Sequence, residues 1–211
     1  CLVGSEMCIR DRLVSLALSA VLALSVVACG SSDTAASTTE STSESSDAAA
    51  SADGAFKIGG IGPITGGAAI YGQAVMNAAQ MATDEINAAG GINGYQVEFR
   101  FEDDEHDAEK SVNAYNTLKD WGMQMLIGTT TSTPCTAVVE ESHNDNLFQL
   151  TPSATAVESI QYDNAFRMCF SDPNQGSASA DYIADNNLAK KVAVIYNSSD
   201  TYSSGIYQNF V

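Results

Sequence analysis

From residue 55 onward the chain alternates two hydrophobic patterns, and this alternation leaves few folds open. FKIGGIG, 56–62, reads as a short β run broken by glycines. From Ala68 to Ala89, residues Tyr71, Val75, Ala78, Ala79, Ala82 and Ile86 recur at helical spacing until Gly90-Gly91 stops them. YQVEFRFED, 95–103, alternates with a period of two, and HDAEKSVNAYNTLKDWG, 106–122, returns to the helical period. The same exchange continues through strand MQMLIG, a helix Thr133–Asn144, strand LFQLT, a helical patch Thr155–Ile160, strand AFRMCFS and a helix Pro173–Asn187. KKVAVIYN, 190–197, then starts a further strand and TYSSGIYQNFV a further helix. Such alternation predicts an α/β fold, a parallel sheet flanked by helices on both faces. The short apolar strands suit burial on both sides.

In such sheets ligands sit beyond the carboxyl ends of the strands. There the sequence places GIGPITGGAAIYG, FEDDEHD, GTTTSTP and TPSATA. GTTTSTP precedes a helix whose first N–H groups lack intrahelical partners and carry partial positive charge. One hydroxyl suffices to cap it, and Pro in the first turn is tolerated. Here Thr129, Thr130, Thr131, Ser132 and Thr133 are consecutive. Capping and capture of a ligand carboxylate use the same donors, and the surplus of hydroxyls favours the ligand. In TPSATA, Pro152 ends a strand, and Ser153 to Thr155 form a loop with acceptors for an ammonium. Together the two loops suit a zwitterion. Tyr71 either covers an apolar ligand side chain or packs at a helix start.

Other chemistries find little support. GPITGGAAIYG is neither a dinucleotide fingerprint nor a Walker A loop. Asp103, Asp104, Glu105, His106 and Asp107 lack calcium-loop spacing, and a strand end with Asp or His capping the next helix is the simpler reading. No metal site and no cofactor is expected. There is no GxSxG elbow, and a hydrolase using Ser132 lacks a placed histidine and acid. With Asp plus Glu at 26 against Lys plus Arg at 9, the net charge of −17 offers no basic stripe for nucleic acid.

The segment before residue 55 reads differently. Residues 1–12, CLVGSEMCIRDR, resemble translated adapter sequence, and the chain is read as a fragment open at both ends. LVSLALSAVLALSVVA, 13–28, follows Arg10 and Arg12 and reads as a signal peptide, with a membrane anchor as the alternative. Val26-Val27-Ala28-Cys29 resembles a bacterial lipobox, which implies cleavage before Cys29 and a diacyl anchor on its thiol. Residues 29–54 are Ser, Thr, Ala and acidic residues that cannot offset their ordering entropy, and read as a disordered tether. For Cys135 and Cys169, a disulfide and two buried free thiols are both open.

GIGPITGGAAIYG, DEINAAGGINGYQVEFRFEDDEHD, LIGTTTSTP, LTPSATA and FSDPNQG, in that order from about 55 to 205, resemble the substrate-binding lipoproteins of ABC importers of the branched-chain amino-acid type. The resemblance implies a type I periplasmic-binding-protein fold: a ligand-binding first lobe over 55–188 and the start of a second over 189–211. It implies a ligand held by Ser132 and Thr131 at its carboxylate and by Ser153 and Thr155 at both ends. Ala154 would line the pocket, and Tyr71 and Tyr202 would pack over the ligand. Asp172 matches the segment that crosses between lobes. Family members often carry a cysteine pair at positions matching His106 and Thr131, so any bridge here falls to Cys135 and Cys169. The expected function is an extracytoplasmic, lipid-anchored, monomeric receptor that delivers an aliphatic amino acid to an ABC permease. The alternatives are a sensing domain of a signalling receptor, or a receptor for an amide, urea or aromatic acid.

Overall fold

The computed structural model describes residues 54–211. The expected signal peptide, Cys29 and residues 30–53 of the expected tether therefore lie outside the described residues. Five strands form one sheet: β1 (Ala55–Gly62), β2 (Gln96–Asp103), β3 (Met125–Ile127), β4 (Phe148–Thr151) and β5 (Ala165–Arg167). Between and after them come α1 (Ala69–Ala88), α2 (Ala108–Asp120), α3 (Ser132–Asn144), a 3-10 turn (Val157–Ile160), α4 (Asp172–Asp185) and α5 (Thr201–Phe210). The sheet order is β2-β1-β3-β4-β5, and every pairing is parallel.

This order contains one reversal. The chain leaves β1 toward β2, then crosses back over β1 to build β3, β4 and β5 on the other side. Right-handed crossovers consequently put α1 on one face and α2 and α3 on the other. Gly59 and Gly60 mark the two faces. A methyl added to Gly59 would meet Met123 and Leu118, and one added to Gly60 would meet Phe101 and Phe99. The core under α2 and α3 gathers Ile61, Tyr115, Leu118, Met123, Leu126 and Val138. Asp107 caps α2 by accepting from the Lys110 amide at 2.9 Å, so the acidic run supplies a cap by Asp.

One expectation needs correction, and one open alternative is decided. KKVAVIYN forms no strand: residues 190–197 are all exposed, with Ile195 at 99%. Its apolar alternation is strand-like, but among the described residues no neighbour supplies a ladder to either side, and an unpaired strand is unstable. The thiols of Cys135 and Cys169 are both free. Cys135 is wholly buried in α3, where its sulfur takes an N–H from Gln149 at 3.4 Å. Cys169 instead points its sulfur to the Ala154 carbonyl at 3.5 Å. Each thiol is thus engaged away from the other.

At Gly72, in the first turns of α1, an added Cβ would stand 2.0 Å from the Pro63 carbonyl oxygen. This close approach folds the GPITGG turn back against the helix. The neighbour is backbone and cannot swing aside. Gly72→Ala is expected to lower stability by about 1–3 kcal/mol, as overpacked sites do, measured by urea unfolding.

Candidate functional site

The reversal of strand order falls between β1 and β3, and their following loops part there. In open parallel sheets such a reversal leaves a crevice beyond the strand ends, where a ligand can sit. A cleft of ≈ 460 Å³ opens at that point. Ala68 and Tyr71 approach it from the start of α1, and Thr130, Thr131 and Ser132 from the turn into α3. Ser153 and Thr155 follow β4, Cys169 and Phe170 follow β5, and Asp200 and Tyr202 come from the start of α5.

The hydroxyl row divides into two kinds. Thr129 and Thr130 are wholly buried and hold the turn itself. Thr130 Oγ1 donates to the Ile61 carbonyl at 3.2 Å, and Thr129 Oγ1 to the Thr131 carbonyl at 3.1 Å. Gly128, with φ of 142°, brings the backbone close to β1, where a Cβ would lie 2.6 Å from the Ile61 oxygen. Part of the hydroxyl surplus therefore serves the fold. Thr131 occupies the cap position of α3 but makes no side-chain cap bond. Its hydroxyl lies 2.9 Å from His106 Nδ1 instead. The first amides of α3, at Ser132 and Thr133, lie where no intrahelical carbonyl can reach them.

Ser132 couples the two loops. Its Oγ accepts from the amides of Thr155 at 3.2 Å and Ala156 at 3.3 Å. The hydroxyl proton is left to donate into the cleft. Thr151 adds a second tie, donating to the Thr129 carbonyl at 2.7 Å and accepting from the Ala154 amide at 3.0 Å. Thr155 Oγ1 is buried without a well-formed hydrogen bond, and its near neighbour is the Asp172 carboxylate, whose Oδ1 is likewise without one. Arg167 donates to the carbonyls of Thr155 at 2.9 Å and Ala156 at 3.0 Å, fixing this loop from β5.

Of the residues anticipated, Tyr71, Thr131, Ser132, Ser153, Thr155 and Tyr202 converge on the cleft. Ala154 does not: it is fully buried behind the loop, held by its amide to Thr151. Asp172 also stands outside the lining, 2% exposed at the start of α4, with Gly205 packed over its carboxylate. Burial pushes its carboxyl above the usual range. His106, Phe170 and Asp200 were not anticipated as lining residues. His106 sits in a run of acids that reads as a solvated strand end, and no local pattern announces that it turns inward. Among the described residues no cluster of side chains suits a metal ion.

Beneath the cleft lies Asp104, fully buried. Its Oδ1 accepts from the His106 amide at 2.9 Å, and its Oδ2 has no partner. Burial pushes this carboxyl up to about 6.

Residues 55–208 match the family model described as periplasmic binding protein, and the chain belongs to that family. It is accordingly extracytoplasmic. It is 33% identical over 152 residues to the Leu/Ile/Val-binding protein homolog 3 of Brucella melitensis, covering 71% of this chain and 41% of that protein. It is 33% identical over 147 residues to the leucine-, isoleucine-, valine-, threonine- and alanine-binding protein of Pseudomonas aeruginosa, covering 69% and 39%. The branched-chain amino-acid substrate-binding protein LivJ of Streptococcus pneumoniae, solved with isoleucine, superposes with a TM-score of 0.70 at 31% identity, over 74% of this chain and 45% of that one. The fold is the type I periplasmic-binding-protein fold. The chain spans about two fifths of the length of the curated relatives it matches.

Two substitutions test this construction. Ser132→Ala removes the acceptor of two buried amides and is expected to cost about 1–3 kcal/mol, seen as a lower urea midpoint. Asp104→Asn keeps an acceptor for the His106 amide and removes a buried charge. A carboxyl at about 6 in the native state, against about 3.9 unfolded, makes the native state the better proton binder between those values. Wild-type stability should therefore fall as pH rises from about 4 to 6, and stay at that deficit above. Asp104→Asn should flatten this fall and raise stability at pH 7 by about 2–3 kcal/mol, read from unfolding curves across that range.

Proposed function

We propose that this chain supplies the first lobe and the start of the second of a receptor that captures a branched-chain or similar aliphatic amino acid and hands it to a membrane permease. The observation that carries the reading is the pairing of two loops across one cleft. The start of α3 offers amides, the Ser132 hydroxyl and positive helix-end potential to a carboxylate. The Ser153–Thr155 loop faces it with hydroxyl residues at Ser153 and Thr155. Tyr71, Phe170 and Tyr202 supply aromatic surface for an aliphatic side chain. The names of the Brucella and Pseudomonas relatives and the isoleucine held by the Streptococcus protein support this choice of ligand.

The mechanism is binding without bond making or breaking. Donors at the helix start are fixed before the ligand arrives, so little ordering cost accompanies capture. Closure of Tyr202 over the cleft would exclude water and strengthen each charge-assisted hydrogen bond. A diacylglycerol on Cys29 and the 29–54 tether would keep the monomeric receptor near its permease.

The test is a thermal-shift panel on the mature full-length protein. Leucine, isoleucine or valine at a hundredfold excess over Kd should stabilise it by about 2.7 kcal/mol, since a ligand of the native state alone must do so. A melting temperature unmoved by every amino acid, but raised by an amide, urea or aromatic acid, would keep the receptor and discard the ligand.

A further inference from the structure

Three contacts join the first lobe to α5 beside the cleft. Thr133 Oγ1 and Thr201 Oγ1 lie 3.1 Å apart, Gln175 Nε2 donates to Tyr202 Oη at 3.1 Å, and His106 Nε2 stands 3.4 Å from Asp200 Oδ1. His106 differs from the other two. Its second ring nitrogen lies 2.9 Å from the Thr131 hydroxyl, and the residue itself lines the cleft. A single rigid ring thus touches the carboxylate-facing turn on one side and the cap of α5 on the other. Both of its partners are poised for it. Thr131 makes no cap bond to its own helix, so His106 is the side chain that orients its hydroxyl. Asp200 is held by its other oxygen, which caps α5 by accepting from the Ser203 amide at 2.8 Å.

The backbone agrees. Glu105 and His106 have φ of 50° and 63°, in the left-handed region that non-glycine residues seldom enter. Asp104, buried below, accepts the His106 amide and fixes this turn. An unfavourable backbone conformation kept by surrounding hydrogen bonds points to a use for the side chain it aims.

We propose that His106 is a positioning residue for ligand capture, bridging Thr131 and Asp200 so that α5, with Tyr202, is clamped across the cleft mouth. This rests on the cleft being an amino-acid site. Nδ1 and the Thr131 hydroxyl are within hydrogen-bond distance, and the contact of Nε2 with Asp200 is an ion pair when the ring carries its proton. As a half-exposed pair it adds little to the stability of the free protein. In the free protein it holds the first turns of α5 locally, and its larger effect comes in the closed, liganded state, where water leaves its surroundings.

The experiment measures leucine binding and release in the full-length protein for His106→Asn, Asp200→Ser and the double variant. Asn tolerates the left-handed backbone at 106 but is too short to span both partners. Ser at 200 keeps the cap of α5 but cannot reach the ring. Each single variant should weaken leucine roughly tenfold, chiefly through faster release, with the double no weaker than either single. Unchanged affinity in the single variants, or losses that multiply in the double, would overturn the bridge. A second arm needs no ligand: amide exchange in the first turns of α5 should quicken severalfold in His106→Asn and stay constant in α1. If wild-type protein binds no amino acid, the function falls, and the exchange arm still decides the bridge: unaltered exchange in α5 removes it.

Discussion

The site depends on backbone carbonyls left over where the sheet reverses its strand order. β1 and β3 are neighbours, but their loops depart in different directions, and the carbonyls of Ile61 and Thr129 end the ladder there. Buried carbonyls need donors. Thr130 supplies both its amide, at 3.1 Å, and its hydroxyl to Ile61, and Thr151 supplies its hydroxyl to Thr129, which draws the turn into α3 against β1 and the Ser153–Thr155 loop against that turn. The two hydroxyl-bearing loops that face the cleft are tied together by these bonds. The tight approach at Gly72 is the counterpart on the β1 side, setting where Tyr71 enters.

Much of this arrangement was legible in the chain itself. Strand and helix alternate strongly enough that each element from β1 to α4 falls close to its expected place, and the hydroxyl-rich turns mark the strand ends that carry the cleft. What the sequence left unread has physical causes. Ala154 sits among polar neighbours that reach the cleft, but loop curvature turns it inward, and curvature is not a local pattern. KKVAVIYN has strand composition, yet strand formation needs a partner that periodicity cannot supply. The role of the threonines was half legible: a run of hydroxyls does not say which of them serve the backbone and which face a ligand. The resemblance already paired the positions of His106 and Thr131, but only the fold brings His106 to the cleft and to Asp200.

The cleft also shows how stability and binding are traded at one place. Asp104 is buried with one oxygen unpartnered, and Thr155 Oγ1 is buried without a well-formed hydrogen bond. Both oppose folding. The first holds the unusual turn at Glu105 and His106, and the second borders the cleft. Such concessions concentrate at functional sites because a ligand or a strained turn needs groups that the fold itself leaves unsatisfied.

Cys135 carries a consequence in redox terms. Its thiol is wholly buried, and burial pushes it above its ordinary range, so almost no thiolate forms. Thiol–disulfide exchange proceeds through the thiolate and needs access to it. A folded chain outside the cytoplasm therefore withdraws Cys135 from oxidation. Cys169, partly exposed on the cleft wall, stays within reach of small oxidants. Its thiol too is pushed up by burial, though less completely enclosed, and oxidation there would enlarge a side chain that borders the cleft and narrow it without entering the core.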